Sequence, residues 1–234
     1  MESPMPQPIP MVLRDTAIYM GNSSDSPSNH RPQLALNAMS VIAEWAILEH
    51  WINYLFIQLL GSSAEIGSAI FTSLSGGNAR RAALNAVAKI SLSIEEYELY
   101  IVIVQIAAGV RDERNKIAHW VWGHAPKIPD GVLLIDPIKL VKYDVEAKIY
   151  ATKNPHEPPL LYPVNDIFVY YEKDFVDVSK RINRCMHFVR DFQIAITPAH
   201  PASLNGEGLT RLRQQPEIQE VFARRAAKNI PKER

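Results

Sequence analysis

Val110-Arg111-Asp112-Glu113-Arg114-Asn115-Lys116-Ile117-Ala118-His119-Trp120 is the stretch on which the reading of this chain turns. Just upstream, Leu99, Ile103, Ile106 and Val110 recur at spacings of four, three and four, which places them on one helical face. Ile117 and Val121 continue that face, and the missing step between them and Val110 falls on Arg114. A permanently charged fork therefore occupies a position that helical periodicity reserves for a buried or partner-facing apolar side chain. Burying an unpaired charge costs several kcal/mol, so a partner, a ligand or an interface cleft is expected at that point. His119 follows five residues later, roughly 140° round and about 7.5 Å along the axis, on a neighbouring stripe within reach of a long arginine. Arg111, Asn115 and His119 are four residues apart and share a face.

The flanking sequence supplies helices for this stretch to pack with. Leu34, Ala38, Val41, Trp45, Leu48, Ile52, Leu55 and Leu59 alternate spacings of four and three, a bundle-type seam predicting a helix over 33–60 closed by Gly61. Ser62 with Glu65 reads as a capping box opening a short helix to 74, and Asn78 as the cap of a third helix to 90 that carries Arg80 and Arg81. Ser75-Gly76-Gly77 between them is a linker, since no Lys-Ser/Thr pair follows to make a phosphate loop. Ser93 and Glu96 form a second capping box, starting the long helix that runs to about 122. Phe175, Val178, Ile182, Cys185, Val189, Phe192 and Ile196 predict a last helix over 173–196 with Cys185 as a core thiol.

Between those two helices the pattern changes. Val132–Ile135, Ile138–Tyr143, Ala147–Ala151 and Ile167–Tyr171 are short, β-branched or aromatic runs separated by Asp-Pro, Asn-Pro and Pro-Pro turns. They predict a small antiparallel β insertion over 132–171. Residues 1–31, with five prolines and a Ser/Asn/Asp cluster, read as a disordered arm. Residues 198–234 read as a basic, largely disordered tail, with one short helix at 216–228. The domain proper is thus placed at 32–197.

Composition narrows the function classes. The 234 residues are 47% hydrophobic and 21% charged, and 25 basic residues balance 25 acidic ones, so no global field marks a nucleic-acid or membrane partner. The single cysteine leaves no internal disulfide framework and fits a reducing, cytoplasmic setting. The first 30 residues lack the order of a signal peptide, and no stretch offers about 20 uninterrupted apolar residues for a membrane span. No metal set is legible: His119 and His124 are five apart, with no carboxylate or cysteine to complete them. No cofactor motif is present, and no Ser–His–Asp or Cys–His pairing can be read.

Arginine, a polar residue, three further residues and histidine near the end of a long helix (here Arg114-Asn115-Lys116-Ile117-Ala118-His119) resemble the signature of the HEPN superfamily. The first helix, with Ala43-Glu44-Trp45-Ala46-Ile47-Leu48-Glu49, and the Arg80-Arg81 pair resemble bacterial members of that group. The likeness covers roughly residues 33–122, with weaker support from 173–196. It implies a mainly α fold: an antiparallel helical bundle, here with the small β insertion before the last helix. It also implies a metal-independent endoribonuclease acting as a homodimer on single-stranded or loop RNA, in a toxin-like or phage-defence setting. A neutralising antitoxin or other protein partner belongs to the same expectation.

The chemistry expected of these residues is specific. The ribose 2′-hydroxyl would attack the adjacent phosphate, with His119 accepting or donating the proton and Arg114 facing the charge that builds on phosphorus. Asn115 would orient the histidine or the phosphate, Arg111, Arg80 and Arg81 would contact the substrate, and Glu49 and Glu113 would support the arginines. One histidine cannot make both proton transfers at once, whereas two copies across a dimer can. The alternative reading is a HEPN-like module that binds a nucleotide or a protein, or dimerises, without cutting. In that case Arg114 pairs with Glu49 or Glu113 and His119 caps the helix end.

Overall fold

Helix boundaries follow local caps. In the computed structural model, which describes residues 6–12, 17–21, 27–157, 162–197 and 207–229, the first long helix α3 spans Pro32–Leu60. It stops at Gly61, whose φ of +64° is open to glycine at little cost. It follows two short helical turns, α1 (Ile9–Val12) and α2 (Pro27–His30). Helix α4 (Ala64–Ser73) is capped by Ser63, not by Ser62: the Ser63 hydroxyl accepts from the Ile66 N–H. Helix α5 (Gly77–Ser91) begins at Gly76, leaving Asn78 inside its first turn. The Ser93–Glu96 box forms as expected, with Glu96 Oε2 accepting from the Ser93 N–H at 2.8 Å and Ser93 Oγ from the Glu96 N–H at 3.3 Å. It opens α6 (Ile94–His119), which ends three residues before the expected boundary.

The protein is mainly helical with a small antiparallel sheet, and its residues divide into two units. The first holds residues 1–43 and 111–180; the second holds 44–110 and 181–234. In the first unit, strands β1 (Gln7–Pro8), β2 (Tyr19–Met20), β3 (Val121–His124), β4 (Gly131–Ile135) and β5 (Ile167–Tyr171) form a sheet of order β1-β5-β4-β3-β2. Every neighbouring pair is antiparallel, and Leu133 faces Val169 on one side and Gly123 on the other. All five residues of β4 are buried. Alternation along β4 and β5 sends Leu133, Ile135, Ile167 and Val169 to one face, where Ile9, Ala125, Ile128 and Leu140 pack. The other face carries Tyr170 and Phe168, with Phe175 against Tyr170 and Trp122, and Trp120 against Phe168.

Three expectations are corrected here. The insertion is not all β: Pro137–Lys153 is a helix, α7, so Ile138–Tyr143 and Ala147–Ala151 are helical. Asp136 accepts from the Ile138 N–H at 2.8 Å, and Pro137 supplies a first position that needs no N–H. Leu140, Tyr143, Ala147 and Tyr150, spaced three, four and three, give this segment a helical inner face that its β-branched residues obscure. The N-terminal residues are not simply a disordered arm. Ile9 is 1% exposed, β1 and β2 form the two edges of the sheet, and the rings of Tyr19 and His30 both stack on His124. Gly123 permits the β2 contact, since a Cβ there would stand 2.5 Å from the Tyr19 carbonyl oxygen. The C-terminal residues form α9 (Glu207–Arg213) and α10 (Pro216–Asn229), burying Leu212, Ile218 and Val221. The rest of the expected arm and tail lies outside the described residues.

Among its described residues, the second unit holds helices and no strand. The last long helix, α8 (Glu172–Ala195), matches the expected span within a residue at each end. Its Cys185 and Phe192 are fully buried, as are Leu48 and Leu99. Two buried polar side chains are tied down: the Tyr100 hydroxyl donates to Asn85 Oδ1 at 2.6 Å, and Gln193 Nε2 donates to the Trp51 carbonyl at 2.9 Å. Among the described residues, no single helix is long and apolar enough to cross a membrane.

Candidate functional site

The last two turns of α6 carry the motif, and a strand begins almost at once. Trp120 N–H still closes a helical bond to Lys116, and Val121 then enters β3. Packing fixes this exit: Ile117 is 2% exposed, and Trp122 Nε1 donates to the Ile117 carbonyl at 3.0 Å. His119, the final helical residue, is exposed, and Arg114 and Asn115 are half-buried.

A groove of about 360 Å³ opens beside this turn. Asp112, Asn115, Lys116, His119 and Trp120 of the α6 end form one wall; Asp136, Pro137 and Ile138, at the start of α7, form the other. The shared face of Asn115 and His119 is therefore real, and both residues look into one space. Arg114 does not line the groove. Its Nη1 donates to Asn115 Oδ1 at 3.0 Å, which places the guanidinium behind Asn115. Arg111 does not line it either: its fork holds Asp112 Oδ1 at 3.1 and 3.2 Å. Glu113 is half-buried near Tyr170, whose phenol is held well above its usual range by burial first and by the Glu113 charge second.

Other members of the expected set belong to the second unit. Glu49 and Arg81 are exposed. Arg80 is engaged locally, with Nε donating to the Leu74 carbonyl at 3.3 Å and its guanidinium 5.4 Å from the centre of the Phe71 ring. It satisfies an orphan carbonyl at the end of α4.

The motif does not name Lys116, Trp120, Asp112 or Asp136, which share the groove. Lys116 and Trp120 were within reach of sequence reasoning, because positions one and five beyond Asn115 flank the Asn115–His119 face. The Lys116 ammonium lies 5.4 Å from the Trp120 ring centre, and the ring also meets Phe168. A half-buried indole beside a cation is a surface on which a planar base can stack. Asp136 was hidden by its role as a helix cap, which became visible only with α7.

Electrostatically the groove is mixed: Lys116 shares it with the carboxylates of Asp112 and Asp136. Among the described residues, no three His, Cys, Asp or Glu side chains gather in a metal-binding group. Comparisons with protein families, with curated proteins and with solved structures find no match for this chain.

Proposed function

We propose that this protein is a HEPN-like, metal-independent endoribonuclease that cleaves single-stranded or loop RNA at the groove beside α6, acting as a homodimer. The observation that carries this reading is the joint placement of Asn115 and His119 on one groove wall, with Arg114 bonded to Asn115. His119 would accept the proton of the 2′-hydroxyl as its oxygen attacks phosphorus, or donate a proton to the departing 5′-oxygen. Asn115 would hold a phosphate oxygen, and Arg114 would act through it or swing past it to meet the developing charge. Trp120 would stack a base next to the scissile bond, and Lys116 would steady a flanking phosphate. Such chemistry needs the 2′-hydroxyl, so DNA would be bound but not cut. A toxin-like or phage-defence role, a cytoplasmic setting and an antitoxin partner go with the reading by resemblance.

A second reading is favoured by Asp112 and Asp136, which set two carboxylates on the walls where a phosphate would pass. A groove of that charge suits a nucleoside or a protein side chain better than a polyanion, and the domain would then bind without cutting.

The experiment is an end-labelled single-stranded RNA incubated with purified protein in EDTA, beside His119→Ala. Cleavage by the parent alone, leaving cyclic-phosphate ends, supports the ribonuclease. Equal cleavage by both places the activity elsewhere. No cleavage, together with saturable binding of a nucleoside or mononucleotide in preference to the RNA, supports the second reading.

A further inference from the structure

Strand register sets an aromatic ring beside a fixed carboxylate at the end of the β3–β4 ladder. Val121 pairs with Ile135, and Trp122 with Leu134. One step further out, the same count sets Trp120 opposite Asp136, and both line the groove of His119. Residues level across an antiparallel pair stand side by side on one face. The Trp120 ring meets Phe168, whose strand partner is Leu134, so Trp120 keeps to the face of Trp122 and Leu134. Asp136 is also held still. Its Oδ1 accepts from the Ile138 N–H at 2.8 Å, a bond that fixes the side chain and leaves both oxygens able to accept again. Lys139, a turn later, is taken by Asp166. Asp112, by contrast, is exposed and already accepts two bonds from Arg111 on one oxygen.

We infer that the groove selects guanine, stacked on Trp120 with its Watson–Crick edge on Asp136. The inference deepens the proposed function and rests on its reading of the groove as a nucleotide site, not on cleavage. A carboxylate offers two acceptors side by side. Guanine alone of the four RNA bases offers two donors side by side, N1–H and the 2-amino group. Uracil sets its one N–H between two carbonyls, and adenine and cytosine put a ring acceptor next to their amino group. Each of those three turns a lone pair toward the anion. A carboxylate instead takes a planar pair of donors bidentately, in short, charge-assisted bonds. An arginine side chain has the same paired donors and also stacks, but Lys116 in the same groove repels a second cation. The Lys116 ammonium lies 5.4 Å from the centre of the Trp120 ring. A base stacking there displaces it toward the phosphate.

The test is isothermal titration calorimetry of the full chain, parent and Asp136→Asn. The probes are the 5′-monophosphates of guanosine, inosine, adenosine, cytidine and uridine, with acetyl-arginine amide beside them. Inosine differs from guanosine only by the missing 2-amino group, so that comparison needs no variant. The parent should bind the guanosine nucleotide at least tenfold more tightly than the inosine nucleotide and than each of the others. Asparagine still caps a helix, so Asp136→Asn should keep the parent's circular dichroism. Its amide offers one acceptor, and the guanosine nucleotide should fall to the level of the inosine nucleotide. Equal binding of those two by the parent, a preference for another base, or a guanine preference that survives Asp136→Asn overturns the inference and leaves the nucleotide site standing. Binding of acetyl-arginine amide alone, or of no nucleotide up to several millimolar, removes the nucleotide site and the inference with it.

Discussion

Trp122 Nε1 donates to the main-chain carbonyl of Ile117 across the junction of α6 and β3, at 3.0 Å. That bond joins the second residue of a strand to the last turn of the helix before it, and so sets where His119 emerges. Trp122→Phe keeps a ring against Phe175 and deletes the donor. A loss of about 1 kcal/mol in urea unfolding is expected, the ordinary worth of such a bond. Under the ribonuclease reading, cleavage should fall by more than that loss explains.

Asn115 is both the acceptor for Arg114 and a wall of the groove. Asn115→Asp preserves the acceptor and charges it, so the thermal midpoint should hold or rise. It also adds a third carboxylate beside Asp112 and Asp136. RNA affinity by fluorescence anisotropy should drop about tenfold, which corresponds to about 1.4 kcal/mol. Unchanged affinity would take the groove out of RNA contact.

Asp174 accepts from the Tyr171 N–H at 2.8 Å in the first turn of α8, and it is buried. Burial holds its carboxyl above the usual aspartate range, against the lowering effect of that N–H and of Lys173. A folded-state value above the unfolded one means that the folded chain binds the proton more tightly. Stability from this group is therefore complete below the unfolded value and is lost as pH rises through the window between the two. Asp174→Asn keeps an oxygen for Tyr171 and removes the charge. Its unfolding midpoint should exceed the parent's at neutral pH, and the advantage should vanish below the ordinary aspartate range.

Cys185 is fully buried, and desolvation pushes its thiol up to about 12. Thiolate is scarce at neutral pH and access is blocked, so Ellman's reagent should leave the native protein untouched over minutes. Denaturant should release one reactive thiol per chain. Prompt reaction without denaturant would show that α8 opens locally.

What the sequence disclosed followed the strength of its periodicities. The seams of α3 and α8 are long and unbroken, that of α6 is interrupted only at Arg114, and those helices appear within three residues of their expected ends. Ile167–Tyr171 was legible as a strand because it is short, β-branched and aromatic. The segment after Asp136 misled, since Ile138, Val141, Val145 and Ile149 carry the branching of strands and point away from the core. Two-residue strands such as Gln7–Pro8 hold no periodicity, and only a long-range partner reveals them. At the site, the Asn115–His119 face followed from a spacing of four, whereas the tilt of Arg114 toward Asn115 depends on neighbours that spacing does not describe.

The pairing of Gln7 with Val169 and Pro8 with Phe168 has a consequence for the order of events during synthesis. The outermost strand leaves the ribosome first and has no seat until β5 has followed it. A nascent chain that ends at Lys153 holds β3 and β4 but exposes one side of β4, a row of unpaired amides and carbonyls able to bind another chain. β5 covers that side, and β1 then closes the sheet with Pro8, a residue that offers no N–H for a further strand. Closure of the sheet is thus a late, long-range step, and it sets the interval over which each new chain is open to mispairing.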